Sequence, residues 1–234
     1  MTGGEPKITL INPPKYWADS MLKAAKQNNL SLDVYFSPNL QTLEIPEQES
    51  KEVVSENINL AIFFFSAKTG ISIENLDLFN QLRELYIASL VLVVDIENGS
   101  NLPVLNTGTF FADSLDYEDY LPIVEKTLEP MPTKYLPLYS ENGDPIAILN
   151  LENSEIFDYS NQGLDNPKRY PATAEHLELV ENFAFEYQER IEEFGDDGFK
   201  NGLFSIAHPL YGKELSNLGI RELVEFLVAF KNSN

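Results

Sequence analysis

The sequence predicts an α/β fold in three layers, with a mostly parallel β-sheet between helices. Residues 60–65 are an apolar run that is too short for a buried helix and typical of a strand buried on both faces. Apolar residues then recur every three positions from Ile73 to Leu85, which places them on one side of a helix, and residues 90–94 form a second apolar run. Strand, helix and strand in this order predict parallel strands joined by a right-handed crossover.

The composition is typical of a globular chain with a sizeable core. The 234 residues are 43% hydrophobic and 12% aromatic, enough for one large domain or one domain with a small insert. No apolar run approaches the roughly 20 residues of a membrane span, and residues 1–5 lack the basic and apolar regions of a signal peptide. The absence of cysteine excludes disulfides, thiolate metal sites and cysteine nucleophiles. We therefore expect a cytoplasmic protein without a membrane partner.

The formal charge of −21 is the strongest compositional signal. Lysine and arginine total 16 against 37 aspartates and glutamates, and the basic residues are scattered. Such a chain repels phosphate backbones, so direct binding of nucleic acid is not expected, whereas a protein partner with a basic surface is favoured. The alternative is that the acidity serves only solubility.

The N-terminal residues have the arrangement in which a phosphate-binding loop occurs. Residues 8–11 predict a strand, Asn12-Pro13-Pro14-Lys15 predicts a loop, and residues 16–27 predict a helix. In a phosphate-binding loop, glycine amides wrap the phosphates, a lysine reaches the outer phosphates, and a serine or threonine holds magnesium.

The remaining elements are predicted from patterns of the same kind. Alternation at residues 30–36 predicts a half-buried strand, and residues 37–57 are a polar, acidic connection. Further along the chain we expect strands at 135–138, 144–150, 155–159 and 202–207, helices at 116–128, 173–194 and 220–230, and loops at 98–112 and 160–171.

The predicted helix at residues 173–194 carries two stripes about 200° apart around its axis. Thr173 can cap it, and acidic residues crowd its first turns, as the helix dipole favours. One stripe is apolar and predicts a docked face: Leu177, Val180, Ala184, Tyr187, Ile191 and Phe194. The other is acidic and is either a solvated face or a partner-binding surface: Glu175, Glu178, Asn182, Glu186, Glu189 and Glu193.

Two segments resemble translational GTPases of the elongation factor G type. The predicted helix at 73–86 contains Leu82-Arg83-Glu84-Leu85 near its end and precedes an apolar strand, as in that family. Residues 215–223 match the family pattern Leu-x-Asn-x-Gly-Val-x-x-Leu, with isoleucine in place of valine. The resemblance implies a G-domain-like (P-loop NTPase-like) sandwich formed by residues 1–138 and 202–234. It also implies a small α+β insert at 139–201, like the G′ insert of the family.

The same comparison shows that the nucleotide motifs of the family are degenerate here. The last glycine, the lysine and the magnesium-binding hydroxyl of the phosphate loop map to Trp17, Ala18 and Asp19. A bulky Trp17 obstructs the backbone approach, Ala18 supplies no charge, and Asp19 repels a phosphate. No Asp-x-x-Gly occurs before residue 60. The guanine-reading Asn-Lys-x-Asp and the Gly-Ser-Ala loop map to Val94, Asp95, Ile96 and Glu97 and to Gly212, Lys213 and Glu214.

The sequence therefore favours a pseudo-GTPase, a non-catalytic protein-binding module with no nucleotide cofactor, no metal and no catalytic residue. In the family, the acidic face of the corresponding helix contacts the C-terminal domain of the ribosomal stalk protein, so the resemblance implies that partner. One alternative is a divergent metal-dependent nucleotide-binding protein or GTPase that uses Asp19, Asp95 and Glu97. Another is a structural or scaffold subunit. His176 and His208 match no catalytic or metal motif and are interpreted as a solvated helix residue and a structural residue.

Overall fold

The computed structural model describes residues 5–36, 58–94, 116–160, 167–211 and 218–233. These residues form two β-sheets and six helices. In chain order the elements are β1 (Ile8–Ile11), α1 (Lys15–Gln27), β2 (Leu32–Tyr35), β3 (Leu60–Ser66), α2 (Ile73–Glu84), β4 (Ala88–Val94), α3 (Tyr117–Thr127), β5 (Tyr135–Tyr139), β6 (Pro145–Asn150), β7 (Glu155–Asp158), β8 (Lys168–Pro171), α4 (Ala174–Leu179), α5 (Glu181–Phe194), β9 (Ile206–Pro209) and α6 (Ile220–Asn232).

The larger sheet has five strands in the order β2-β1-β3-β4-β9, and every neighbouring pair is parallel. The pairing of β3 with β4 runs over their full length, from Leu60 opposite Ala88 to Ser66 opposite Val94. This order, 2-1-3-4-5 along the described strands, is the flavodoxin-like variant of the doubly wound arrangement. The predicted α/β architecture with a mostly parallel sheet is thereby confirmed.

The parallel sheet is buried on both faces, as the unbroken apolar runs of β3 and β4 predict. Leu60, Ile62 and Phe64 face α1 and α6, whereas Ala61, Phe63 and Phe65 face α2 and α3. The alternation follows from the two-residue period of a strand, which turns successive side chains to opposite faces. Helices on both faces give the three predicted layers.

The second sheet is antiparallel, with the order β5-β6-β7-β8. Its buried residues Leu136, Ile148 and Ile156 belong to the same apolar cluster as α2 and α3. β5 starts close to the parallel sheet, since Thr133 bridges to Ala207 of β9, and then pairs with β6. The second sheet thus begins next to β9 and shares the apolar core of α2 and α3.

Residues 168–171, predicted to lie in a polar loop, form the edge strand β8. No apolar pattern marks this strand, because its stabilising contacts are made by polar side chains. The guanidinium of Arg169 lies 4.6 Å from the ring centroid of Phe157 and forms an ion pair with Glu225 of α6 at 2.8 Å.

The single helix predicted at 173–194 is two consecutive helices, α4 and α5. Thr173 caps α4 as predicted, accepting a hydrogen bond from the His176 amide at 3.4 Å. Val180 interrupts the helix with φ −112° and ψ 11°, and its side chain is buried in the core. Packing of this β-branched residue therefore overrides helix continuity.

The last central strand begins four residues later than the predicted strand at 202–207. Gly202 adopts φ +64°, and a Cβ at this position would lie 2.2 Å from the Tyr86 carbonyl oxygen. Only glycine fits this turn, so the strand starts after it, at Ile206. The longest described helix, α5, has 14 residues, and none of the described helices is both long and apolar enough to cross a bilayer.

Candidate functional site

The three residues that the resemblance assigns to the phosphate loop lie inside α1, and two of them belong to the core. Trp17 is 1% exposed and packs with α6 and the sheet, and Ala18 is also buried. The Ala18 amide donates to the Pro14 carbonyl at 2.9 Å, so it is not available to a phosphate. Asp19 is exposed on the other side of the helix. These three residues therefore form no phosphate cradle.

The carboxyl ends of β1 and β3 form the point where chain connections leave toward opposite faces of the sheet. In doubly wound folds, ligands bind in the crevice at this point. Here the Asn12 side-chain amide donates to the Oδ1 of the buried Asn75, and Asn12 has a left-handed φ of 43°. Ser72 caps α2 by accepting from the Asn75 amide at 3.2 Å. The side chains of Asn12 and Asn75 are thus bonded to each other at this crevice.

The motif positions on β4 and before α6 are only partly described. Val94 is the last residue of β4 and is fully buried, and its carbonyl accepts from the Ala67 amide at 3.0 Å. Asp95, Glu97, Lys213 and Glu214 lie outside the described residues. Within the described parts of the chain, no group of three His, Asp or Glu side chains could hold a metal ion.

The predicted acidic face is on the surface, divided between α4 and α5. Its members are all exposed: Glu175 and Glu178 on α4, and Asn182, Glu186, Glu189 and Glu193 on α5. The only cation of α5 is Arg190, which pairs with Glu193 at 2.9 Å. The remaining carboxylates of α5 leave a strongly negative surface.

Three exposed apolar side chains accompany these glutamates: Leu177, which is 39% exposed although it was predicted on the docked face, and Leu179 and Phe185, which sequence reasoning missed. Leu179 is 76% exposed at the end of α4, and Phe185 is 63% exposed in the second turn of α5. The signal that could have found Phe185 is its register, because it lies outside the apolar stripe of Ala184, Tyr187 and Ile191. An apolar residue on the charged side of an amphipathic helix is not explained by the core.

A groove of about 550 Å³ lies beside the acidic face, between α5, α6 and the start of β5. Its floor is apolar and includes Ile191 and Phe226. Lys134 enters the groove, pairs with Glu152 at 2.5 Å and lies 5.8 Å from the ring centroid of Phe226. Because this cation is already paired, the groove adds apolar surface but no unpaired positive charge at Lys134.

Buried titratable groups lie where α6 meets the second sheet. Glu222 is fully buried, and its Oε1 accepts from the Tyr159 hydroxyl. Burial lowers the pKa of His208 to about 4, so this residue is neutral near pH 7 and its Nε2 donates to the Gly219 carbonyl at 2.8 Å. The neutral imidazole joins β9 to the start of α6, in agreement with a structural role.

A second, partly buried network lies at the amino end of α3. The hydroxyls of Tyr139 and Tyr211 are 2.8 Å apart, and the Tyr139 hydroxyl also accepts from the Tyr117 amide at 2.9 Å. Burial raises the pKa of Glu118, whose carboxylate accepts from Tyr139 at 3.3 Å. The network joins β5, α3 and Tyr211, two residues after β9, and the hydroxyls of Tyr139 and Tyr211 are bonded to each other.

No protein-family model matches this chain, and a search of curated proteins finds no match.

Proposed function

We propose that this chain is a non-catalytic binding module, a pseudo-GTPase that resembles the G domain of elongation factor G and presents the acidic face of α4 and α5 to a basic protein. The observation that carries the proposal is the exposure of every glutamate of that face. The face lies on helices held by the core through Val180 and Tyr187, which are both buried. A rigid, negative surface of this kind favours fast and selective association with a positive one.

The burial of the phosphate-loop positions supports a role without nucleotide chemistry. Trp17 and Ala18 are part of the core, and no cation stands where the family has its lysine. Without a lysine at the motif position, a chain of this charge has little to offset the repulsion of phosphates. These residues disfavour nucleotide binding, which is consistent with a role in binding a protein.

The partner implied by the resemblance is the C-terminal domain of the ribosomal stalk protein. In elongation factor G-like proteins, that domain contacts the acidic face of the corresponding helix. A partner of this kind would place the function in the cytoplasm, at the ribosome.

The experiment that tests the proposal is a charge reversal with a matched control. Glu178→Lys, Glu186→Lys and Glu189→Lys are combined in one variant, and binding of the stalk C-terminal domain is measured by isothermal titration calorimetry. Because like charges would now face each other, we expect affinity to fall by about a hundredfold or more.

The control variant changes the same amount of charge on another exposed helix. It combines Glu74→Lys, Asp77→Lys and Glu84→Lys on α2, all at exposed positions. We expect its affinity to stay within about threefold of the wild type, since distant exposed charges are largely screened by salt. Unchanged binding of the α4 and α5 variant, or an equal loss in both variants, would contradict the proposal.

A further inference from the structure

Phe185 is a large apolar side chain held in water on a well-anchored helix. It is 63% exposed, whereas its helix neighbour Tyr187 is buried. At 100° per residue, the positions three and four away along the helix are its surface neighbours. Those positions are Glu181, Asn182, Gln188 and Glu189, all of them exposed and polar. Phe185 is therefore an exposed apolar side chain surrounded by polar and acidic residues.

The backbone under Phe185 is fixed by contacts on the opposite side of α5. The Ala184 amide donates to the Val180 carbonyl at 3.0 Å, which starts the helix on a buried residue. At the other end, the ring of Phe194 packs against Phe204 with centroids 5.8 Å apart. A side chain displayed on such a support loses little conformational freedom when a partner covers it.

The charges around Phe185 define the chemistry of the partner. α5 carries five glutamates and one arginine, and that arginine is paired with Glu193. A surface that complements it must be basic at its rim, with an apolar cleft for the ring. Interface cores are enriched in aromatic residues and depleted of charge, whereas rims are polar, so one exposed ring among carboxylates fits this anatomy.

We propose that Phe185, assisted by Leu179, is the apolar anchor through which this face docks into an apolar cleft bordered by basic side chains on the partner protein. The inference rests on the proposed function and adds to it a specific contact. The glutamates select a positive partner and accelerate encounter, while the ring slows dissociation once the cleft is filled.

The test compares Phe185→Ser with a matched control at an exposed apolar residue elsewhere. Ile73 at the start of α2 is 74% exposed, so Ile73→Ser removes a similarly exposed side chain outside the face. The probe is the C-terminal domain of the stalk protein, titrated into the full chain. We expect Phe185→Ser to weaken binding by about thirtyfold, Ile73→Ser to leave it within threefold, and Phe185→Tyr to retain it.

Measuring affinity at high salt distinguishes the contribution of Phe185 from that of the glutamates. At about 1 M salt the Debye length falls to roughly 3 Å, so exposed charges contribute little. We expect the wild type to keep measurable affinity under this condition and Phe185→Ser to lose it.

The outcomes distinguish failure of the Phe185 anchor from failure of the proposed function. If charge reversal abolishes binding but Phe185→Ser binds like the wild type in low and high salt, the anchor is wrong and the proposed function stands. An equal loss in Ile73→Ser also overturns the anchor. If the wild type does not bind the stalk domain at all, the inference falls together with that partner.

Discussion

The hydroxyl of Tyr159, just after β7, donates a hydrogen bond to Oε1 of Glu222 in the first turn of α6. The contact joins the antiparallel sheet to a helix that packs on the parallel sheet through Leu223 and Leu227. Oε2 of Glu222 is buried and has no partner among the described residues. Burial raises the pKa of Glu222, the Tyr159 bond opposes that rise, and the nearby Glu225 adds to it.

Glu222→Gln should make the fold less sensitive to pH. Because the folded-state pKa of Glu222 lies above its ordinary value of 4.5, the folded state binds the proton more tightly than the unfolded state. The contribution of Glu222 to stability is therefore most favourable below pH 4.5 and declines as pH rises through the folded-state pKa. Glutamine keeps the oxygen that accepts from Tyr159 and carries no charge.

Urea unfolding at a series of pH values measures this effect. We expect the variant to be more stable than the wild type at pH 7.5, with the difference shrinking towards pH 4.5. Tyr135 also faces Glu222, and because burial raises the pKa of its phenol it stays neutral across this range, while the nearby Arg221 guanidinium lowers the pKa of Glu222. A variant that is less stable than the wild type at every pH would show that the carboxylate stabilises the fold.

Trp17→Ala should destabilise the protein by about 3–5 kcal/mol, the usual cost of removing a large buried aromatic side chain. Asp19→Ala is the control, two residues along the same helix at an exposed position, and should change the free energy of unfolding by less than about 0.5 kcal/mol. Chemical denaturation followed by circular dichroism measures both. A small loss for Trp17→Ala would mean that this residue is not a core residue, and would reopen the loop as a ligand site.

Gly202→Ala should cost more than about 2 kcal/mol, because the new Cβ would meet the Tyr86 carbonyl in a left-handed backbone. The clash would also disturb the Arg83 side chain, whose Nη1 donates to the Gly202 carbonyl at 2.6 Å. Gly143→Ala separates the two effects, since Gly143 has φ +83° with nothing within 4 Å. Its cost should be about 1 kcal/mol, and equal losses at both sites in thermal unfolding would exclude the clash.

Labelled GTP, GDP and ATP should not bind at millimolar concentration, with or without magnesium. The Ala18 amide donates to the Pro14 carbonyl, and Trp17 is buried in the core. Equilibrium fluorescence titration measures the affinity, and the same titration of Asp19→Ala shows whether any binding depends on this carboxylate. Micromolar binding that needs magnesium and is lost in Asp19→Ala would favour the alternative of a metal-dependent nucleotide site.

The parallel core was predictable because its signal is local. The run at 60–65 and the run at 90–94 are apolar without interruption, and strands of that kind are stable only inside a sheet covered on both faces. The structure has β3 and β4 at those positions. The exposure of the glutamates on α4 and α5 was equally predictable from helical periodicity. Charged residues that recur on the side of a helix opposite its apolar stripe face solvent.

Other features depend on contacts that lie far apart in the chain, and the sequence gives no local sign of them. β8 is held by Arg169, whose partners Phe157 and Glu225 are 12 and 56 residues away. The bond between Asn12 and Asn75 spans 63 residues, and so does the bond between Tyr159 and Glu222. In each case tertiary structure brings together polar residues that are far apart in the chain, and it buries Asn75 and Glu222 despite their preference for solvent.

The bridge between Thr133 and Ala207 covers part of the β9 edge of the parallel sheet, where another strand could otherwise pair. The Ala207 amide donates to the Pro132 carbonyl at 3.0 Å, and β9 ends at Pro209, which has no amide hydrogen to offer. An open edge of this kind invites pairing with strands of other molecules, and such pairing leads to aggregation. The approach to β5 thus protects the chain along β9 from sheet extension.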